Sequence, residues 1–338
     1  MNQKKLTLIL AMLVLAVFAV GSVSAADNIT ADIDEPASDI VIDDVPAVET
    51  DENEPVELEE VESESSSGED SGLNAMTVVN FAPGTYRGTT INVQSNTIYN
   101  GNGATIYGTG SDNVFVVNNA NNFVITGFNI IVNSTSKAAI YGANVFNATI
   151  SNNNITGGKD GINIMQTYDN VTITGNRITG VTRDAISLVD HRTLTDAQWA
   201  ARGCSNISNN IITGSSEYGM FIGGNFKGKI SNNIIDGPDV GVEFAGKKAA
   251  TNGRLCVNFY NNTIVNVGNA INIFHPRIEC FNITHCNISA EVYSFYTEAP
   301  FGNYIGYIGV YYSTVVGNYT TEFGTAVGTN YGNNVGFP

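Results

Sequence analysis

Apolar and polar positions alternate along this chain in short runs, and the runs recur. One is a six-residue phrase with isoleucines around a polar turn: Ile150-Ser-Asn-Asn-Asn-Ile155, Ile173-Thr-Gly-Asn-Arg-Ile178, Ile207-Ser-Asn-Asn-Ile-Ile212 and Ile230-Ser-Asn-Asn-Ile-Ile235. Looser copies begin at Ile125, Phe259 and Ile283, and successive starts lie 25, 23, 34, 23, 29 and 24 residues apart. The other run is a shorter alternation: Ile140, Ile162 and Ile164, Ile186 and Leu188, Met220 and Ile222, Val242 and Phe244, Ile271 and Ile273. Period-two alternation puts these aliphatics on one face of a strand. A repeat in the low twenties with two such stretches predicts stacked coils, each burying its neighbour's faces. Helical periodicity is confined to a single turn within Leu194–Ala201. The fourth phrase position is Asn153, Asn176, Asn210, Asn233 and Asn262, which predicts a column of inward amides bonding along the axis.

The stacking map exposes irregularities. From the second stretch to the next phrase, Ile162 to Ile173 is 11 residues and Met220 to Ile230 is 10, but Ile186 to Ile207 is 21 and Val242 to Phe259 is 17. Two insertions, Asp190–Gly203 and Ala245–Leu255, therefore emerge on one edge around the short leg Gly223–Lys229. That predicts a notch with walls roughly 10 Å apart. One wall offers His191, Arg192, Trp199 and Arg202. The other offers Lys247, Lys248 and Arg254. Asn225, Lys227 and Lys229 form the floor, with His275 and Arg277 beyond. Cations beside an indole suit an anionic glycan, through charge pairing and stacking on a sugar face. The plainer alternative is a pair of solvated loops. Asp190, Asp196 and Glu279 offset part of the charge.

The same map sets Asp160 beside Asp184, with Arg183 adjacent. Paired carboxylates raise one another's pKa or hold a cation, so these three are the catalytic candidates, against an exposed charge ladder. His191, His275 and His285 make no zinc pattern. No metal site, phosphate loop or Ser/His/Asp order is expected. Cys256 and Cys280 stand three residues before their phrases on adjacent coils, within reach of a disulfide. Cys204 is two coils from Cys256, too far to pair. Cys286 replaces an inward Asn, as a buried thiol. Of ten Asn-x-Ser/Thr sequons, Asn28 and Asn133 are the expected glycosylation sites.

Composition divides the chain. Lys4 and Lys5, an apolar run from Leu6 to Val20 and small residues before Ala26 predict a secretory signal over 1–25. Residues 26–72 carry 18 acids and no Lys or Arg, a self-repelling linker. Residues 73–338 then hold 13 basic and 14 acidic residues, so the folded part is near neutral although the whole chain carries −17. Such a balance argues against nucleic-acid binding. No membrane span is expected in the mature chain. The tail, about 290–338, is rich in aromatics and without Lys or Arg, as expected of a cap over the last coil.

Phe81-Ala-Pro-Gly-Thr-Tyr86, Ile91-Asn-Val-Gln-Ser-Asn96 and Ile98–Ile106, followed by the phrases, resemble the coils of the pectin-lyase-like superfamily. The resemblance implies an all-β, single-stranded right-handed parallel β-helix, here of about 8–10 coils. Signal, acidic linker and Asn-rich coils together resemble adhesin-like surface proteins of methanogenic archaea. That likeness implies a monomer at the cell exterior whose partner is a polysaccharide or glycan, with no cofactor. The enzymatic alternative is a lyase or hydrolase of uronate polymers, with calcium if a lyase; the third reading is a passive surface stalk. Polygalacturonase-like enzymes carry an Asp-Asp pair, Gly-His-Gly and Arg-x-Lys; here the last two are absent, and Asp43-Asp44 falls in the linker. Arg183 to Arg192 is the nearest approach to a lyase run and matches no such motif.

Overall fold

The computed structural model describes residues 75–108, 110–214, 217–246, 253–274, 277–297, 308–319, 328–330 and 334–336. The expected signal and linker lie outside them. The described residues form a parallel β-solenoid of about nine turns. No helix among them is long and apolar enough to cross a membrane.

The phrases stack in the register their alignment implies. Ile125, Ile150, Ile173, Ile207, Ile230, Phe259, Ile283 and Val310 form one continuous column. All eight are fully buried. Phe115, Ile140, Ile162, Ile186, Met220, Val242, Ile271 and Phe295 form a second column. Each coil has three strands, however, and not two. The final phrase residues make their own column: Ile130, Ile155, Ile178, Ile212, Ile235, Ile264, Ile288 and Val315.

The phrase thus straddles a corner. Its third residue turns the chain with positive φ at Asn152, Gly175, Asn209, Asn232, Asn261 and His285, a conformation Asn and Gly adopt at least cost. Its fourth residue points inward. Asn153 donates to Asn176 (3.1 Å), Asn176 to Asn210 (3.0 Å), Asn210 to Asn233 (3.0 Å) and Asn233 to Asn262 (2.9 Å). Each amide oxygen also accepts the backbone N–H of the coil before, as when Asn153 N–H donates to Asn176 Oδ1. Beyond Asn262 the ladder passes to the Cys286 thiol and then to the Ser313 hydroxyl. Burial pushes the Cys286 thiol up to about 11, so it stays protonated.

A second corner needs small side chains. Ala139, Gly161, Ala185, Gly219, Gly241 and Ala270 succeed one another there. A Cβ on Gly241 would lie 2.6 Å from the Ala270 carbonyl oxygen. The residue after each of these begins the second inward column, as Ile162 follows Gly161 and Ile186 follows Ala185. In the tail, Ile308–Tyr311 and Thr314–Tyr319 continue the parallel ladder from the preceding coils. Of the expected cap, about 290–338, residues 298–307, 320–327, 331–333 and 337–338 lie outside the described residues.

Candidate functional site

Three places gather polar chemistry on the outer surface. The first is the expected basic notch, and it is filled from within. Thr195 caps a short helix, α1 (Asp196–Ala201), through a reciprocal pair of bonds with Gln198. The helix lays Trp199 over the notch, where the Arg254 guanidinium sits 4.9 Å from its ring centroid and leaves it 8% exposed. Arg254 also pairs with Asp196 (2.7 Å) and Glu279 (2.8 Å), and Arg277 shares Glu279.

Below the helix, Asp190 is 1% exposed and accepts from both Arg192 and Arg202. Arg202 lies over the Tyr168 ring and donates to the Asn225 carbonyl, which also accepts from the Tyr168 hydroxyl. Burial pushes the Tyr168 phenol well above its ordinary range. Asn225 itself ties the two insertions together: its Nδ2 donates to the Arg192 carbonyl and its Oδ1 accepts from Arg254 N–H. Lys227 Nζ donates to the carbonyls of Ala200 and Arg202.

The residues expected to meet an anionic glycan are therefore brought together, but facing one another. Trp199, Arg202 and Arg254 are buried, so the open notch is corrected to a packed one. The cause is that spacing locates charges without naming their partners, and each guanidinium found a carboxylate from the same insertions. His191 is exposed and Arg192 and Lys227 half-buried. Lys247, Lys248 and His275 lie outside the described residues.

The second place is the acidic pair. Arg183 grips Asp160 with two bonds, 2.9 and 2.8 Å, and reaches Asp184 at 3.4 Å. Both carboxylates are buried, which overturns the exposed-ladder alternative. Burial pushes Asp184 up to about 6; Arg183 opposes the shift, while Asp160 and Glu217 add to it. Among the described residues no group of three or more His, Cys, Asp or Glu is arranged to hold a metal ion. Glu243, which spacing did not single out, belongs to the same surface, and burial pushes it up to about 7.

The third place was missed by sequence reasoning. On the outer face of the phrase strands a groove of about 960 Å³ crosses five coils. One edge holds Cys204, Lys227, Cys256 and Cys280. The floor presents Asn206, Lys229, Asn258 and Asn282, then Ser208, Ser231 and Thr284. The far edge is the turn column Asn209, Asn232, His285 and Tyr312, where the His285 and Tyr312 rings stack 5.2 Å apart. Lys229 lies 5.7 Å from the Tyr260 ring. Cys256 and Cys280 form a disulfide along the groove wall, Cα atoms 4.4 Å apart, while Cys204 is a free exposed thiol and Cys286 a buried one. The signal for this groove was available in the outward phrase positions Ser208, Ser231, Tyr260 and Thr284, which all carry a hydroxyl across the coils of the groove.

A family profile described as a right handed beta helix region matches residues 84–254. No curated protein and no solved structure matches the chain significantly.

Proposed function

Because the chain belongs to the right-handed β-helix family, whose members share a coil and not one chemistry, we propose that it works as an exported, adhesin-like protein that binds a polysaccharide along its coils. The observation that carries this reading is the groove on the phrase face, which runs across five coils and is lined by amides, hydroxyls and aromatic edges. A sugar chain presents repeated hydroxyls to a repeated set of amide donors and acceptors, and its faces to rings such as Tyr312. Lys229, exposed on the floor, is where a carboxylate or sulfate of an acidic sugar would pair. The binding face thus moves from the packed notch to the regular coils.

Retention of the full chain on immobilised polyuronate tests the reading. Replacing Lys229 and Tyr312 together with Ala is expected to weaken retention about tenfold, the scale of one lost charge pair and one lost stack. Retention unchanged by that pair would sink the groove. The enzymatic alternative is separated by an unsaturated-product absorbance assay on polyuronates with and without calcium, in which no product is expected. Arg183, the base a lyase would need, is already committed to Asp160.

A further inference from the structure

A second outward face, at the small-residue corner, carries a slot that the groove reading does not use. Successive coils place there Tyr218 with Phe221, then Val240 with Glu243, then Asn269 with Asn272, then Tyr293 with Tyr296. A carboxylate and an amide therefore form a floor between two aromatic pairs. Ring centroids are 5.4 Å apart in Tyr218–Phe221 and 5.4 Å apart in Tyr293–Tyr296. Three coil steps separate the pairs, roughly 14 Å.

The floor has more acceptors than donors. Glu243 is 8% and Asn272 4% exposed. The Asn272 side chain bonds Glu243, yet its Oδ1 has no partner. The Tyr218 hydroxyl is shared between Glu217 and Glu243. A phenol owns one proton, so it satisfies one carboxylate and leaves the other short of a donor. The charged groups facing Glu243 are Glu217 on the coil before and Asp184 one coil earlier, with Arg183 beside Asp184 and held by Asp160. Burial first, then these two acids, push Glu243 up to about 7, against the bonds from Asn272 and Tyr218. A buried acceptor without a donor is costly, and native interiors supply one from protein, water or ligand.

We propose that this slot binds the ammonium group of an amino sugar within a chain, with the flanking sugar rings against the two aromatic pairs. An ammonium brings three N–H donors and a positive charge: a donor for the unpartnered Asn272 Oδ1, and a counter-charge for a Glu243 carboxylate that has only neutral donors and two acids near it. The aromatic pairs supply faces for a ring, which a lysine tail does not have. Binding displaces the proton that Glu243 holds, and that proton passes to solvent.

Calorimetry on the full chain compares a glucosamine trimer with the N-acetylated trimer of the same length. The amine form is expected to bind at least tenfold more tightly. Its affinity is expected to fall about tenfold or more as pH drops from about 6.5 to 5, because Glu243 regains its proton while the amine stays charged. Glu243→Gln and Asn272→Ala are expected to erase the preference, and Lys229→Ala in the groove to leave it intact. The comparison of the two trimers needs no variant, so it stands if a substitution unfolds the coil. Equal affinity for the two trimers, affinity for neither, or trilysine binding as tightly as the amino sugar would overturn the assignment.

Discussion

The packed insertion and the open groove adjoin one another on the same coils, with Lys227 at their shared edge, and use polar residues in opposite ways. In the insertion, Asp190, Arg192, Arg202, Asp196, Arg254 and Glu279 satisfy one another and hold Trp199 down. In the groove, Asn258, Asn282 and Lys229 stand exposed above the core. The difference follows from chain geometry. An insertion leaves the hydrogen-bonded ladder and must find its own contacts, so its charges become fastenings. A regular strand already has its backbone bonds and inward aliphatics, so its outward side chains are left free for a ligand. Charge density in a loop is thus a poor guide to exposed charge on this solenoid, and the plain positions of the repeat are a better one.

The sharpest break between the two regions is Asp190→Ala. It removes the shared acceptor of two guanidiniums, of which Arg202 has a side chain 1% exposed. An uncompensated buried charge costs about 3–5 kcal/mol. Denaturant unfolding of the variant is expected to show a loss of that order, with glycan retention at the groove unchanged per folded molecule. A loss below about 1 kcal/mol would mean the insertion is a solvated loop after all.

Next in size is the acidic surface. Asp184 and Glu243 bind protons more tightly folded than unfolded, with values of about 6 and about 7 against ordinary ones near 4. The folded chain therefore holds extra protons between about pH 4 and pH 7, and stability falls as pH rises through that window. The stabilisation that fades is up to about 3 kcal/mol for each group. Thermal melts from pH 4.5 to 8 are expected to show that decline, and Glu243→Gln to flatten its upper half. A melting temperature that rises with pH would contradict it.

How far these features were legible follows from what periodicity encodes. The register of Ile150 on Ile173 on Ile207 was readable because inward aliphatics recur at the same phrase position. The amide ladder was readable for the same reason. The third strand was not, because Ile155 and its equivalents sit three residues past a corner residue and read as the end of one run. The corner itself is marked only by Asn152 and its successors, whose positive φ no alternation announces. The notch was located by insertion length, yet length says nothing of whether Arg254 faces solvent or Trp199. Glu243 looked like an ordinary outward acid between Val242 and Phe244; its burial comes from neighbouring coils that no single strand displays.

The amide ladder offers a third, smaller test. Asn210→Ala removes a donor to Ile173 O and Asn233 Oδ1, and an acceptor for Asn176. Unsatisfied buried groups of this kind cost about 1–3 kcal/mol in all. That loss is expected in denaturant unfolding with neither face losing its ligand, which separates scaffold from surface.

The smallest expected effect on stability belongs to Lys229→Ala, and it carries the comparison furthest. Lys229 makes no ion pair among the described residues beyond its contact with the Tyr260 ring, so unfolding free energy should move by no more than about 0.5 kcal/mol. Its retention on an acidic glycan should nonetheless fall, and the remaining retention should depend less on salt, because an exposed cation pairs with its ligand through water-screened charge. Arg254→Ala, a cation within the packed insertion, should do the reverse: it strips Trp199 and two carboxylates of their partner and lowers stability, while salt dependence of retention stays as it was. Parallel measurement of the two variants decides between the faces. If Arg254 governs salt-dependent retention and Lys229 does not, the insertion is the binding face and the groove is only its neighbour.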